Sequence, residues 1–104
     1  MPSSGGLDET IGETPRLFAL RAVFGIQTVS ERYTRKAVEA LKAAGFDTRT
    51  LFEDDALMWR VLVRVSGTQE EIATAEDRIM DIGDATGIWD GHQPDEWWEE
   101  AQPA

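Results

Sequence analysis

The sequence predicts an α+β domain in the order β-α-β-β-α-β, and three observations carry that expectation. Thr28-Val29-Ser30-Glu31 and Thr68-Gln69-Glu70-Glu71 each follow a β-like run and open a helical pattern. Each has the form of a capping box, in which the threonine hydroxyl accepts from a first-turn N–H and the glutamate reaches back to the threonine N–H. The repeat suggests one unit, strand then helix, used twice. Between the two helical patterns, residues 47–65 read as two alternating runs joined by Asp54-Asp55, the pattern of an antiparallel hairpin.

The elements follow in order. Residues 1–15 are rich in Gly, Ser, Thr and Pro, lack sustained periodicity and read as a flexible leader. From Arg16 to Ile26, Phe18, Leu20, Ala22 and Phe24 alternate with Leu17, Ala19, Arg21 and Val23. One face is apolar and the other nearly so, which predicts a central strand. Helix one is expected over 29–44, with Tyr33, Ala37, Leu41 and Ala44 on one stripe and Gly45 as its left-handed stop.

Residues 47–53 alternate weakly and read as an exposed strand. Residues 56–65 form the strongest strand pattern: Leu57, Trp59, Val61, Val63 and Val65 against Met58, Arg60, Leu62 and Arg64. Trp59 is expected in the core. If the face bearing Arg60 and Arg64 is open, it is a mixed apolar-basic surface suited to a partner. Helix two is expected over 69–85, with Ile72, Ala75, Ile79 and Ile82 as its buried stripe and Gly87 at its end. Ile88-Trp89 begins a short fourth strand, and Asp90-Gly91 signals a turn. The right-handed crossover rule then favours a four-stranded antiparallel sheet with two helices on one face, the ferredoxin-like arrangement, over residues 16–92. Residues 93–104 read as an acidic, tryptophan-containing tail, mobile apart from Trp97 and Trp98.

Composition narrows the chemistry. The chain has 104 residues, no cysteine and a net charge of −10. It is long enough for one domain and one modest core, and has no disulfide framework or thiolate metal site. No apolar stretch approaches the roughly 20 residues of a membrane span, and the N-terminus lacks signal-peptide features, so a cytoplasmic location is expected. Asp8, Glu9 and Glu13 in residues 1–15, and Asp90, Asp95, Glu96, Glu99 and Glu100 in residues 89–104, have no base among them. The body, residues 16–88, is nearly balanced. This pattern argues against direct nucleic-acid binding, which needs clustered Lys and Arg; it favours a basic protein or arginine-rich segment as partner, and reads equally as charge that serves solubility or marks a salt-rich cell interior.

No catalytic constellation stands out. Gly25-Ile26-Gln27 before a helix, with Arg32 near its start, loosely resembles the acylphosphatase loop. The chain has no asparagine to orient water, and Glu31 would repel phosphate at that helix start. His92 is the single histidine and gives too few convergent ligands for a metal. No enzyme activity, cofactor or metal is expected. Trp97-Trp98 within Asp95-Glu96-Trp97-Trp98-Glu99-Glu100 reads in two ways: as a docking segment whose aromatics anchor and whose acids steer, or as a flap folded back over apolar surface.

The run Gly87-Ile88-Trp89-Asp90-Gly91-His92 and the helix end Ala43-Ala44-Gly45-Phe46 resemble the family of small regulators that inhibit ribonuclease E, the B-type regulators of ribonuclease activity. That family closes its second helix and starts the next strand with a Tyr-Asp-Gly-Trp-like motif. Asp90 and Gly91 match it, Trp89 stands at the tyrosine and His92 at the tryptophan. The resemblance implies an acidic, non-enzymatic protein that binds a ribonuclease or its scaffold and lowers its activity; the residues leave monomer and homodimer both open. Trp89, Asp90, Asp95, Glu96, Trp97, Trp98, Glu99 and Glu100 are the expected partner-binding residues. Two alternatives share the acidity or the fold: an immunity or anti-defence protein presenting negative charge to a nucleic-acid-binding target, and a small-molecule-sensing dimeric domain.

Overall fold

The computed structural model describes residues 20–104, so the expected leader and residues 16–19 of the expected first strand lie outside the described residues. The elements are β1 (Leu20–Thr28), α1 (Glu31–Ala43), β2 (Asp47–Glu53), β3 (Met58–Gly67), α2 (Gln69–Thr86), β4 (Ile88–His92), α3 (Asp95–Glu100) and β5 (Gln102–Pro103). They form an α+β fold around a five-stranded sheet in the order β4-β1-β3-β2-β5. Every neighbouring pair is antiparallel.

The hairpin forms where alternation places it, Asp47 opposite Arg64 and Glu53 opposite Met58. The second capping box also forms. Thr68 Oγ1 accepts from Glu71 N at 3.1 Å, and Glu71 Oε1 accepts from Thr68 N at 2.8 Å. The first box does not. Thr28 remains in β1, opposite Trp59, and Ser30 is the N-cap of α1, accepting from Tyr33 N at 3.2 Å. Thr34 Oγ1 donates to Ser30 O at 2.8 Å. Its one proton is thereby used, so Thr28 Oγ1 donates to Thr34 Oγ1 across 2.5 Å. The hydroxyl expected to cap the helix instead ties the buried end of β1 to its first turn.

At the other end of α1, Gly45 has φ 90°, Gly45 N donates to Lys42 O at 2.9 Å and Phe46 N to Leu41 O at 3.0 Å. This is the glycine-terminated turn expected there, with Phe46 packed back on the core.

Strand alternation divides the interior in two. On one side of the sheet, Phe24, Ile26, Val61 and Val63 pack against Ala37 and Leu41 of α1 and Ile79 of α2. On the other side, Val23 and Leu62 pack against Trp98 and Ala101. Two counts among the described residues therefore correct the expectation: the sheet has five strands rather than four, and there are three helices rather than two. Both additions come from residues 93–104. The expected mobile tail is instead a short helix and strand lying on the sheet. Ala104 N donates to Thr48 O at 3.4 Å, and Lys42 Nζ donates to Ala104 O at 2.5 Å. Trp59 is a smaller correction. It is half-buried at the end of β3, tilted against Phe52 with ring centroids 4.9 Å apart.

The junction between α2 and β4 demands a residue without a side chain. A Cβ added at Gly87 would stand 2.2 Å from the Gln27 carbonyl oxygen. Both are backbone-fixed positions, so relief requires β1 and β4 to separate. Gly87→Ala is expected to lower stability by about 1–3 kcal/mol in urea denaturation. An unchanged midpoint would show that the two strands are not held this closely.

Candidate functional site

The sheet face turned away from α1 and α2 carries four arginines. Period-two alternation puts Arg21 and Val23 of β1, Arg49 of β2, and Arg60, Leu62 and Arg64 of β3 on that side. Their stems surround the apolar centre formed by Val23 and Leu62.

The chain reaches this face just after β4. Gln93 N donates to Val23 O at 2.8 Å, and the Gln93 side-chain amide donates to Asp90 O at 2.9 Å. Pro94 then precedes α3, and Asp95 and Glu96 occupy its first turn, where negative charge complements the helix dipole.

The indoles of α3 point at the sheet. Trp98 is 1% exposed. Arg49 lies over its ring at 4.4 Å and Arg64 at 5.0 Å. Arg49 Nη1 also donates to Trp98 O at 2.7 Å. Trp97 is half-buried, with Arg60 4.7 Å from its ring centroid. Each such cation–π contact contributes about 0.5–2 kcal/mol, more as water is excluded. The Trp98 Nε1 donor has no hydrogen-bond partner among the described residues; apolar contact and the guanidinium stacks hold the ring.

Arg60 has a second set of partners. Its Nη1 bonds Asp90 Oδ2. Its Nε lies 3.1 Å from Glu53 Oε1, in ion-pair contact but off the line of an N–H bond. One guanidinium thus joins β2, β3 and β4 beneath Trp97.

The eight residues expected to bind a partner do not form one surface. Trp89 faces the α1/α2 side, stacked on Phe24 at 5.7 Å. Asp90 points to the opposite side and is engaged by Arg60. Trp98 is interior, packed on Val23 and Leu62, as in the reading in which the tail folds back over apolar surface. Asp95, Glu96, Glu99 and Glu100 are exposed on α3. None of them makes an ion pair among the described residues. His92 tilts against Phe24 at 4.7 Å, and no group of three or more potential metal ligands occurs among the described residues. No helix among the described residues is long and apolar enough to cross a membrane.

A second acidic surface was readable in the sequence but not anticipated. Glu70, Asp77, Asp81 and Asp84 fall at i, i+7, i+11 and i+14, one outward stripe of α2. All four are exposed. The last turn of α2 contains no base, against the usual preference for cations at a helix C-terminus.

Comparison with protein-family models, curated proteins and solved structures finds no match to the chain.

Proposed function

We propose that this chain is a non-enzymatic regulator that binds a basic protein or arginine-rich segment, in the manner of the ribonuclease inhibitors it resembles. The frame is a ferredoxin-like βαββαβ unit with a C-terminal helix and strand added. The order β4-β1-β3-β2 within the sheet, with α1 and α2 on one side, supports that frame.

One observation carries the functional reading. The indoles of α3 are turned inward onto Arg49 and Arg60, so Asp95, Glu96, Glu99 and Glu100 are left exposed, with no ion pair among the described residues. Their mutual repulsion offsets part of the docking energy. A basic partner would relieve that repulsion, and the partner's approach would be accelerated by the field.

The test is titration of the full chain with an arginine-rich peptide at low and at physiological ionic strength. Binding is expected to weaken by at least about tenfold over that range. Changing the four α3 carboxylates to Asn or Gln should remove most of the binding while leaving the fold intact. Equal binding by that variant would transfer the role away from α3. No binding at low salt would end the reading.

A further inference from the structure

We propose that the surface formed by α1 and α2 docks on the same surface of a second copy of this chain, each α1 lying against the other copy's α2. This surface is on the side of the sheet away from α3, so the inference stands apart from the acidic-regulator reading above.

The two helices present opposite charge. On α1, helical periodicity turns Arg32, Arg35, Lys36 and Glu39 away from the buried Ala37 and Leu41. On α2 it turns Glu70, Asp77, Asp81 and Asp84 away from the buried Ile79 and Gly83. All eight are exposed, and none makes an ion pair among the described residues. The outward ridge of α1 is thus mainly cationic and that of α2 wholly anionic. The two project side by side and do not meet within one chain.

Topology makes this surface self-complementary. β1 and β2 are each antiparallel to β3, and β3 and β4 are each antiparallel to β1. α1 crosses between β1 and β2, and α2 between β3 and β4, so the two helices run antiparallel to each other. A two-fold axis along the groove between them lays each α1 antiparallel on the other copy's α2 and forms both contacts at once. The charge spacing also matches. Arg32 and Lys36 are four residues apart, as are Asp77 and Asp81, about 6 Å along either helix. With Arg32 opposite Asp81 and Lys36 opposite Asp77, Glu39 falls opposite Thr74 rather than a carboxylate. In this register the C-terminal half of α2, whose last turn has no base of its own, receives Arg32 and the positive end of the other copy's α1.

The pairing of opposite ridges selects the occupant. A uniformly basic or uniformly acidic partner would match one ridge and be repelled by the other, whereas a second copy matches both. Each copy has a net charge of −10, but Asp95, Glu96, Glu99 and Glu100 lie beyond the sheet, about 10 Å or more from this surface, where physiological salt screens them. Exposed ion pairs are individually weak, and α1 is only about 20 Å long. The expected dimer is therefore reversible, in the size class of transient contacts.

The experiment is sedimentation equilibrium of the full chain at physiological ionic strength. The wild-type protein is expected to dimerise with a dissociation constant below about 1 mM. Arg32→Glu with Lys36→Glu, and separately Asp77→Lys with Asp81→Lys, set like charges against each other, and each pair of changes should weaken dimerisation at least about tenfold. All four positions are exposed, and circular dichroism spectra matching the wild type are expected. An equimolar mixture of the two variants should recover dimers. In the mixed pair an acidic α1 meets a basic α2, and a basic α1 meets an acidic α2. Changing the four α3 carboxylates to Asn or Gln should leave dimerisation unchanged.

A single-chain mass for the wild type at about 1 mM would overturn the proposal and leave the two ridges to unlike partners. A dimer that survives either reversal, or a mixture no more associated than its components, would overturn the α1–α2 pairing. A dimer lost with the α3 carboxylates would overturn it by moving the interface to α3.

Discussion

Replacing Trp98 with alanine is expected to lower the unfolding free energy by about 3–5 kcal/mol, the cost typical of removing a buried tryptophan. The ring is 1% exposed and closes over Val23 and Leu62. Its loss removes that apolar contact and leaves Arg49 and Arg64 without the π system both lie over. A domain of this size has only about 5–15 kcal/mol of stability in total, so the variant should be markedly destabilised at room temperature. Urea denaturation followed by far-ultraviolet circular dichroism measures the loss. Trp97→Ala should cost less than half as much, because that ring is half-buried. A loss under about 1 kcal/mol for Trp98→Ala would mean that α3 spends little time on the sheet.

Arg60→Met is the second large effect, at about 2–3 kcal/mol. Removing one member of a fully buried pair costs roughly 3–5 kcal/mol because the other charge is stranded. Here the Arg60 side chain is 12% exposed, but Glu53 and Asp90 keep 28% and 26% of their exposure, so water moderates the penalty. Methionine preserves most of the stem that packs beneath Trp97. The triple variant Arg60→Met, Glu53→Gln, Asp90→Asn should recover more than half of the loss, since no charge is then left unpaired. Additive losses across the three positions would show that the carboxylates do not act through Arg60.

The legible parts of this fold are those encoded by neighbours in sequence. The 47–53 strand follows from period-two alternation and its turn, and α2 from a reciprocal Thr68–Glu71 cap and an apolar stripe. The first helix start was misplaced for a local reason. Thr28 and Ser30 are both competent hydroxyl caps, and the choice is made by pairing: Thr28 stays opposite Trp59 and turns its hydroxyl to Thr34.

The docking of residues 93–104 lies further from what a sequence displays. Alternation identified Arg60 and Arg64 on one strand face, and composition identified the Trp97-Trp98 pair. Joining them requires knowing that β2 and β3 bring Arg49 and Arg64 to a single ring. Six helical residues are too few to show a period. The partner surface shared this difficulty: Trp89 and Asp90 are adjacent in the chain, yet strand geometry sends them to opposite sides of the sheet.

The stacked tryptophan–arginine latch has a consequence for handling the molecule. Dispersion and excluded water hold the latch closed, whereas a cationic guest would be held chiefly by long-range attraction to the exposed carboxylates of α3. Brine would therefore strip such a guest and leave the latch shut. A moderately salty wash should return the protein empty but still folded, ready to load again on dilution.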